Sequence, residues 1–525
     1  MSIKERTQLK EYFNTGDVPT ESQFSDLIDS YQRQITFDVM DYGAIGDGVN
    51  DDTQQIQAAI DAASVNGGIV LFPSGVFNIL GPINILSSNV SLIGQGAGAT
   101  TIRAANAKED IAMIVIGDNI TTCAHTTIAR MLITSVNQKT ANQAIRLNKA
   151  FKTWLYELRI EKQYNAIYAV NSTQTYFRDS DIRDTKNDAI IWESSPGYDF
   201  YINNVVADNP DIINTGNGIN WLGGENFVIH NCDILNFNVG FNIHPATGKQ
   251  CRFGFFSAAE FDFAKDNNIK ITSEDGGDVV GLTFTTTWSG TATNYGVLLS
   301  DGSGLLQGIR FVAHKSMHNG LAGIRLAGGN DIHIIGCDVV GNSQTLSGNR
   351  HGIEIASGMG ENWSIVGCRI GNGYQQGDTQ GCGISFDTGA YSNVVIMSNE
   401  LNNNLNEAIA FNNSTFIDSK IFGNTGRNIE LLSNNGVTEL WLQNTNANHT
   451  SKIFDDGNLH IEGEGQNIWI NGGTVANILL ALGGGKVGIG AVPGNSVLSI
   501  TGLPTSSAGL AAGDVWSNNG VLTIV

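Results

Sequence analysis

A short apolar motif returns along most of the chain at nearly constant spacing. Each copy pairs a small or polar residue with an apolar one and opens a segment of alternating apolar and polar positions, as in AIRL (144–147) and GIEI (352–355). The apolar residue of each copy stands at position 145, 167, 190, 219, 241, 269, 297, 324, 353, 384, 409 or 429. The mean spacing is about 26 residues, and a period of about 20 to 50 residues is typical of a solenoid. The repeat therefore predicts a chain that stacks one small structural unit on the next.

A second alternating segment lies between successive copies. Clear examples are FVIHNCDI (227–234), IHIIGCDV (332–339) and WSIVGCRI (363–370). Apolar or small residues fall on one side and polar residues on the other, which is the period of two that strands show. Cys232, Cys337 and Cys368 fall in one inward position, so we expect them to be core residues. Two or three short strands per repeat predict an all-β parallel β-helix.

The stretch DYGAIGDGVNDDTQQIQAAIDAA (41–63) precedes the repeats. Its second half has apolar residues at helical spacing, and Asp51 or Asp52 is a suitable N-cap. The open end of a β-helix exposes apolar surface and unpaired backbone groups. We therefore predict that this helix covers the first coil, GGIVLFPSGVFNI (67–79), and that the glycine-rich loop before it is scaffold. The apolar stripe consists of Ile56, Ala59, Ile60 and Ala63.

The helical stretch and the first coil together resemble the N-terminal cap and first coil of the pectate-lyase-like superfamily, whose members are right-handed parallel β-helices. With the repeats, the resemblance extends over about residues 36–435. It implies the fold but no single activity, because the superfamily includes lyases, hydrolases and proteins without enzymatic activity. The motif set of its polygalacturonase branch (NTD, DD, GHG and RIK on successive coils) is absent from the sequence, which argues against a pectin hydrolase.

The two ends of the chain carry different patterns. Residues 7–32 predict two helices joined by a turn, with a capping box at Thr20 and Gln23, and resemble the N-terminal segment of phage tail fibres. Residues 483–525 resemble the tip of phage tail-fibre and tailspike chains, and their short apolar strands would be exposed in a monomer. These resemblances imply a phage tailspike, which is a parallel homotrimer that joins the tail or baseplate through its N-terminus. Such a spike recognises, and often cleaves, a bacterial surface polysaccharide.

The predicted organisation follows from these segments. It consists of N-terminal attachment helices at 1–35, a cap at 36–66, the parallel β-helix at 67–435, a connecting β region at 436–482 and a C-terminal oligomerisation tip at 483–525.

The charge balance narrows the set of partners. Fifty acidic and 29 basic residues give a net charge of −21, which argues against nucleic acid and anionic membrane surfaces as partners. The sequence shows neither a signal peptide nor a membrane-spanning run, so we expect synthesis in a host cytoplasm and a final location in the virion tail. The six cysteines lack metal-ligand spacing, and we expect neither a metal nor another cofactor.

Hydrolysis of a sugar chain requires two carboxyl groups, about 5–5.5 Å apart for retention or about 6.5–9.5 Å apart for inversion. Matching outward positions on adjacent coils lie about 4.8 Å apart, so stacked carboxylates meet this condition. Asp233 and Glu260 are neighbours in one predicted outward column, and Asp262 lies one outward step further. These three residues are the first catalytic candidates. The predicted column contains Asp181, Val205, Asp233, Glu260, Thr283, Arg310, Asp338, Arg369, Glu400 and Lys420.

Other residues complete the set of candidates. Trp288, on the coil after Glu260, is suited to stacking against a sugar ring, and the further substrate-binding candidates are His244, Lys270 and Arg310. A lyase would instead need a base such as Lys270 beside an arginine such as Arg325. A hydrolase, a lyase and a non-catalytic receptor-binding spike all remain open at this stage. A second acidic group, which a charged surface can also produce by chance, contains Asp181, Asp184, Glu193, Asp208 and Asp211.

Overall fold

The computed structural model describes most of the chain before residue 427 and short segments after it. It divides into two compact units, Met1–Glu464 and Gly465–Val525, which are described separately. The described residues are 6–31, 36–105, 111–210, 215–345, 348–357, 360–371, 380–412, 414–426, 439–444, 449–455, 459–463, 505–512, 515–518 and 521–524.

The first unit is an all-β, right-handed parallel β-solenoid of about 13 turns in the part of the chain that the structure describes. Each coil passes through three parallel sheets, named sheet 1, sheet 2 and sheet 3 in their order along one repeat, counted from its repeat mark. The repeat marks from 145 to 409 form one continuous register column of sheet 1, and each of these residues is fully buried. The predicted fold and the register of its repeat are therefore confirmed, while the mark at 429 lies outside the described residues.

The strands are short because each coil turns sharply between sheets. Sheet 1 contains Ile83–Ile85, Ile114–Ile116, Gln143–Asn148, Asn165–Val170, Val239–Ile243, Ile269–Thr272, Val297–Ser300, Ile324–Ala327, Ile353–Ile355, Ile384–Phe386 and Ile409–Ala410. Sheet 2 contains Thr36–Asp38, Gly68–Leu71, Val90–Ile93, Gln250–Ser257, Asp278–Thr285, Leu306–Val312, Asn330–Ile335, Trp363–Val366, Val394–Met397 and Lys420–Phe422. Sheet 3 contains Asp47–Asp51, Gly75–Ile79, Thr100–Ala104, Asp233–Leu235, Glu260–Asp262, Trp288–Gly290, Lys315–Met317, Asp338–Val340 and Arg369–Gly371.

Longer strands bend from one sheet into the next, and a few strands lie outside the three sheets. The bent strands are Cys123–Ser135, Ala150–Glu161, Thr173–Arg183, Ile190–Asp208 and Asn217–His230. Ala390–Ser392 and Thr415–Ile417 form a separate parallel pair. Glu439–Asn444, His449–Asp455 and Leu459–Gly463 pair in antiparallel fashion after the solenoid, and Val515–Asn518 and Val521–Ile524 form a hairpin in the second unit.

The corners of the coil are made by single residues in the left-handed conformation. One coil shows all three corners, with Asn226, Asn231 and Asn236 at φ 66°, 52° and 64°. Asparagine tolerates this conformation better than most residues. The corner residue at position 231 lies between the last outward side chain of sheet 2 and the first inward side chain of sheet 3. A sequence reading that misses a corner therefore assigns later residues to the wrong sheet.

The core is a stack of like residues. Phe256, Phe284 and Phe311 lie on successive coils, with ring centroids 4.6 Å and 4.7 Å apart. The three cysteines that share the predicted inward position are each 1 % exposed, as expected for core residues. Burying an aliphatic or phenyl side chain stabilises a fold by about 1.5–3 kcal/mol, so repetition over many coils gives the solenoid its stability.

The opening helix Thr53–Ser64 covers the first coil and buries the predicted apolar stripe. Asp51 accepts a hydrogen bond from the Thr53 amide at 3.0 Å, whereas Asp52 occupies the N-cap position without capping the helix through its side chain. The buried Asp52 carboxylate accepts instead from the backbone amides of Ile45 and Gly46. The glycine-rich loop is therefore tied to the start of the helix, as a scaffold would be.

The N-terminal segment forms the helices Arg6–Glu11 and Glu21–Tyr31, and a 3-10 turn, Val39–Tyr42, precedes the solenoid. The predicted capping box is present, because the Thr20 amide donates to Gln23 and the Gln23 amide donates to the Thr20 hydroxyl. None of the helices in the described residues is both long and apolar enough to cross a membrane. The predicted boundaries of the five segments remain predictions.

Candidate active site

Three of the predicted residues lie together on the outer surface of sheet 3. Asp233 pairs in register with Glu260, and Glu260 pairs with Trp288 on the next coil. Asp262 lies two residues after Glu260 on the same side of the strand. The side chain of Asp233 is exposed, those of Glu260 and Trp288 are half-buried, and Asp262 is only 5 % exposed. The predicted neighbours are thus confirmed, and we call Asp233, Glu260 and Asp262 the acidic row.

The rest of the predicted column was partly wrong. Thr283, Arg310 and Lys420 lie on sheet 2, where Thr283 pairs with Arg310, and Val205 is buried in the core. Val206, Trp288 and Lys315 occupy the corresponding positions of sheet 3. The reason is the corner: Thr286 and Ala313 are left-handed at φ 50°, but neither residue type signals a turn.

The carboxyls of Glu260 and Asp262 influence each other. Burial raises the pKa of Asp262 to about 6, and the charge of Glu260 adds to the rise against the opposing hydrogen bond from the Phe263 amide. Burial also raises the pKa of Glu260, with a further rise from the charge of Asp233 and an opposing hydrogen bond from Asp262. Two adjacent carboxyls of this kind titrate as a pair and hold one proton where an isolated carboxyl would be ionised. The acidic row can therefore offer a proton donor beside an exposed carboxylate.

The buried carboxyl of Asp262 is held in place by its neighbours. One oxygen accepts the Phe263 amide at 2.8 Å and the other accepts the Trp288 indole N–H at 3.2 Å. Its register partner, Gly290, has no side chain and so leaves space for the carboxyl and the indole. A Cβ at position 290 would lie 3.2 Å from an Asp262 oxygen and 2.5 Å from the indole nitrogen. The Lys315 ammonium lies 5.8 Å from the centroid of the Trp288 ring. Trp288 therefore positions Asp262 in addition to its predicted place beside a sugar.

The other predicted substrate-binding residues are not brought to the acidic row. His244 lies at the end of a sheet 1 strand and pairs with Asp275 at 2.8 Å. Lys270 is an outward residue of sheet 1, between Asn242 and Leu298 in register. Arg310 is exposed on sheet 2.

The second acidic group is divided between faces. Asp181 lines a shallow depression of about 540 Å³ at the corner of sheets 2 and 3, and Asp208 accepts a hydrogen bond from Asn236 at 2.7 Å. Glu193 lies on sheet 1, where the Tyr168 hydroxyl donates to it at 2.5 Å. Asp184 is a left-handed corner residue at φ 54°, and Asp211 lies outside the described residues. This group is not one constellation.

Sheet 1 carries a polar cluster that the sequence reading missed apart from one residue, Arg325. Glu354 is 4 % exposed, and one of its oxygens contacts Arg325 at 2.9 Å and Arg350 at 3.5 Å. Its other oxygen has no hydrogen-bond partner among the described residues. Tyr295 packs under Arg325, whose guanidinium lies 6.0 Å from the ring centroid, and Asp387 approaches the same guanidinium at 3.7 Å. The sequence did contain a signal for this cluster. Arg325 and Glu354 each directly follow a repeat mark, which places them at matching outward positions on successive coils.

Metal ligation finds no support in the geometry. Among the residues that the structure describes, no three or more His, Cys, Asp or Glu side chains converge as they would around an ion.

Comparison with known proteins agrees with the solenoid architecture. A sequence model of the family described as rhamnogalacturonase A/epimerase, pectate lyase-like, matches residues 36–245. Mannuronan C5-epimerase AlgE2 of Azotobacter vinelandii is 46 % identical over 74 residues, which are 13 % of this chain and 7 % of that protein. The matched segment is thus a small part of both proteins.

Solved structures extend the likeness over more of the chain. The A-module of mannuronan C-5 epimerase AlgE6 of A. vinelandii aligns with 75 % of this chain and 100 % of the module, at a TM-score of 0.51 and 16 % identity. Tailspike protein 3 of bacteriophage CBA120 aligns with 81 % of this chain and 68 % of its own, at a TM-score of 0.44 and 11 % identity. The family model and the epimerase module agree with the pectate-lyase-like fold of the right-handed parallel β-solenoids.

Proposed function

We propose that the protein is a phage tailspike that binds a bacterial surface polysaccharide (capsule, exopolysaccharide or O-antigen) and hydrolyses it at the acidic row. The observation that carries this proposal is the Glu260–Asp262 pair, whose raised pKa values keep a proton available beside the exposed Asp233. Glycosidases need this combination, because one carboxyl must donate a proton while the other acts in its ionised form.

The exposure of each carboxyl suggests its role. Glu260 is half-buried and reaches the surface, so it is the general acid that gives its proton to the glycosidic oxygen as the bond to the anomeric carbon breaks. Asp262 is buried behind it and shares the proton of the pair. Asp233 is the base that removes a proton from the attacking water, or the nucleophile that bonds to the anomeric carbon before water releases it. Either route consumes one water and leaves one new reducing end.

The tailspike part of the proposal rests on the ends of the chain. The N-terminal helices resemble a tail-attachment segment, and the C-terminal segment resembles a fibre tip. Leu522 and Ile524 in the described C-terminal hairpin are 51 % and 70 % exposed. Apolar residues so exposed favour a partner surface, and a homotrimer provides one. Light scattering should give about 168 kDa, three times the 56.1 kDa chain, and a stable monomer would contradict the trimer.

Hydrolysis can be tested on whole capsules. Purified protein is spotted on lawns of many bacterial strains, and capsule is then extracted from the strains that show translucent halos. The proposal expects new reducing ends in that capsule after incubation with the protein. Binding to the capsule without release of any oligosaccharide would favour the alternative, which is a non-catalytic receptor-binding spike.

A second candidate function, a polysaccharide lyase, is favoured by the sheet 1 cluster. Arg325 and Arg350 contact one oxygen of Glu354, and Tyr295 packs under Arg325. A lyase needs a base and a cation beside the carboxylate of a uronate. The related proteins include alginate lyase 7 of A. vinelandii, 46 % identical over 74 residues that are 9 % of that protein. β-Elimination leaves a carbon–carbon double bond that absorbs ultraviolet light, whereas hydrolysis does not. Product absorbance therefore separates the two candidates.

A further inference from the structure

A polar group interrupts the outer surface of sheet 2 away from the acidic row and the sheet 1 cluster. Arg310, His333 and Ser364 follow one another in register on three successive coils. Asp331 lies two residues before His333 on the same strand. The side chains of Asp331, His333 and Ser364 are half-buried, and Arg310 is exposed. Neither candidate function described above uses Asp331, His333 or Ser364.

The hydrogen bonds within this group have one consistent assignment. His333 Nε2 lies 2.7 Å from Asp331 Oδ1, and His333 Nδ1 lies 2.9 Å from Ser364 Oγ. An ionised carboxylate only accepts hydrogen bonds, so Nε2 carries the hydrogen and donates it to Asp331. In the neutral imidazole Nδ1 is then the acceptor, and the Ser364 hydroxyl donates to it. The serine thus meets a base that is oriented by an acid, and Arg310 approaches the second oxygen of Asp331 at 3.7 Å.

We propose that Ser364, His333 and Asp331 form a nucleophilic triad that cleaves carboxylic esters, such as O-acyl groups on the hydroxyls of a sugar. A serine becomes an effective nucleophile when an adjacent base takes its proton and a third group holds that base in place. Such triads are recognised by geometry and not by chain order. Here the acid and the histidine lie on one coil and the serine lies on the next.

The reaction requires only the ester and water. Ser364 Oγ bonds to the acyl carbon as its proton moves to His333 Nδ1, and Asp331 stabilises the imidazolium. The carbon–oxygen bond to the sugar then breaks, and the proton passes from His333 to the departing alkoxide, which leaves as the free hydroxyl. Water repeats the sequence on the acyl-serine, with His333 as base, and releases a carboxylic acid and the original serine.

An apolar strip beside the serine is suited to the acyl group. Val312, Ile335 and Val366 are register neighbours on the same three coils, each two residues after a member of the polar column. Alternate residues on a strand point to the same face and lie about 6.8 Å apart. Ile335 is 40 % exposed, and the two valines are half-buried. A short acyl chain bound to Ser364 Oγ would lie against this strip.

The same sheet contains a matched pair without the acid. His230 and Ser257 are register partners, and His230 Nδ1 lies 2.9 Å from Ser257 Oγ. The residue two positions before His230 is Val228, where the other strand has Asp331. If a histidine–serine contact alone were sufficient, both serines would react, so Ser257 is an internal control.

The test uses a fluorophosphonate probe on the intact full-length protein. Attack by a serine breaks the phosphorus–fluorine bond, forms a phosphorus–oxygen bond and releases fluoride. We expect labelling at Ser364, found by peptide mass spectrometry, and a loss of at least about 100-fold in Ser364→Ala. Ser257→Ala should label like the wild type. Asp331→Asn should slow labelling by about 100-fold or more, because asparagine leaves the histidine in the wrong tautomer.

Two outcomes would overturn the triad. One is labelling of the wild type no faster than that of Ser364→Ala, and the other is an equal loss in Ser257→Ala. Equal thermal unfolding of all variants would show that the substitutions left the fold intact. Hydrolysis of 4-nitrophenyl acetate, with acylated Ser364 found by mass, provides a second readout. Glu260→Gln should keep full labelling, so failure of the triad and failure of the glycosidase proposal are distinguishable.

Discussion

Two groups of carboxylates occupy the same outer columns of sheet 3 but differ in their neighbours. One is the acidic row, and the other consists of Asp181 and Asp208, which come earlier in the chain and are called the earlier group. In the earlier group Asp181 pairs in register with Arg159, and Asp208 pairs with Arg183. In the acidic row Glu260 lies between Asp233 and Trp288. Trp288 also lies between the row and Lys315, which is the next cation in the column.

The surroundings of Asp262 and of Asp208, which occupy the same column, also differ in charge. Asp262 has Leu235 and Gly290 as register partners, and neither carries charge. Asp208 has a guanidinium on the preceding coil and an amide donor from Asn236. The number of acidic residues in a group therefore does not identify a site. Acids become chemically distinct where burial and like charge act without a compensating cation.

The largest expected effect comes from replacing the surface carboxyls of the row. Glu260→Gln and Asp233→Asn should each reduce the release of reducing ends by at least about 100-fold, because each removes a group that moves a proton or bonds to the substrate. Asp181→Asn is the matched control and should stay within about twofold of the wild type, since it does not touch the reacting atoms. Binding to intact capsule should survive in all three. A control that loses as much activity as Glu260→Gln would move the site to the earlier group.

A cation placed in the row should make it resemble the earlier group. Leu235→Arg puts a guanidinium next to Asp262 in register, which lowers the pKa of that carboxyl and reduces the fraction of the pair that holds the shared proton at neutral pH. A fall of one pKa unit would reduce hydrolysis at neutral pH by about tenfold and move the alkaline limb of the pH–rate profile to lower pH. Leu235→Met, which keeps nearly the same volume and adds no charge, is the control. An unchanged alkaline limb in Leu235→Arg would show that the pair is not the acid.

Removing the indole donor should act in the opposite direction. The Trp288 N–H stabilises the ionised form of Asp262, so Trp288→Phe raises the pKa of Asp262 and moves the alkaline limb to higher pH. The phenyl ring preserves an aromatic surface beside the row, so the change in rate at the optimum should be only a few-fold. A pH–rate profile of both proteins measures the shift. Displacement toward lower pH would contradict the assigned hydrogen bond.

The smallest effect concerns stability. Folding raises the pKa of Asp262 to about 6 from its ordinary value of 3.8, so the ionised carboxyl opposes folding, and the wild type loses stability as the pH rises between these values. Asp262→Asn should therefore unfold a few degrees higher than the wild type at pH 8 and at nearly the same temperature at pH 3. Asp208→Asn, beside its arginine, should show no such gain. Thermal unfolding at the two pH values provides the test.

Much of the fold could be predicted because the sequence repeat reflects the packing of the core. An apolar residue must fall on the same core position in every coil, so the marks from 145 to 409 gave the register of sheet 1 directly. Sheet 3 was harder. Asparagine is a residue type that indicates a turn, so Asn231 predicts its corner. Thr286 and Ala313 take the same left-handed conformation, but their residue types do not indicate a turn. The missed corners moved Thr283 and Arg310 from sheet 2 into the predicted column.

The chemistry of the site depended on contacts between coils. Asp233 and Glu260 were predicted neighbours from their spacing of 27 residues. The burial of Asp262 depends on Gly290 and Trp288, which meet it only after the coils stack in register. The proposed triad on sheet 2 was not predicted from the sequence for a similar reason. His333 and Ser364 are 31 residues apart, and no sequence motif joins them.

The proposed hydrolysis depends most on which face of the solenoid holds the sugar chain. A crystal structure of Glu260→Gln with an oligosaccharide from the capsule that the wild type degrades would show this directly. We expect sugar rings along sheet 3, with a glycosidic oxygen next to position 260 and the anomeric carbon facing Asp233. Sugar rings on sheet 1, with a carboxylate on Arg325 beside Glu354 and the acidic row empty, would contradict it.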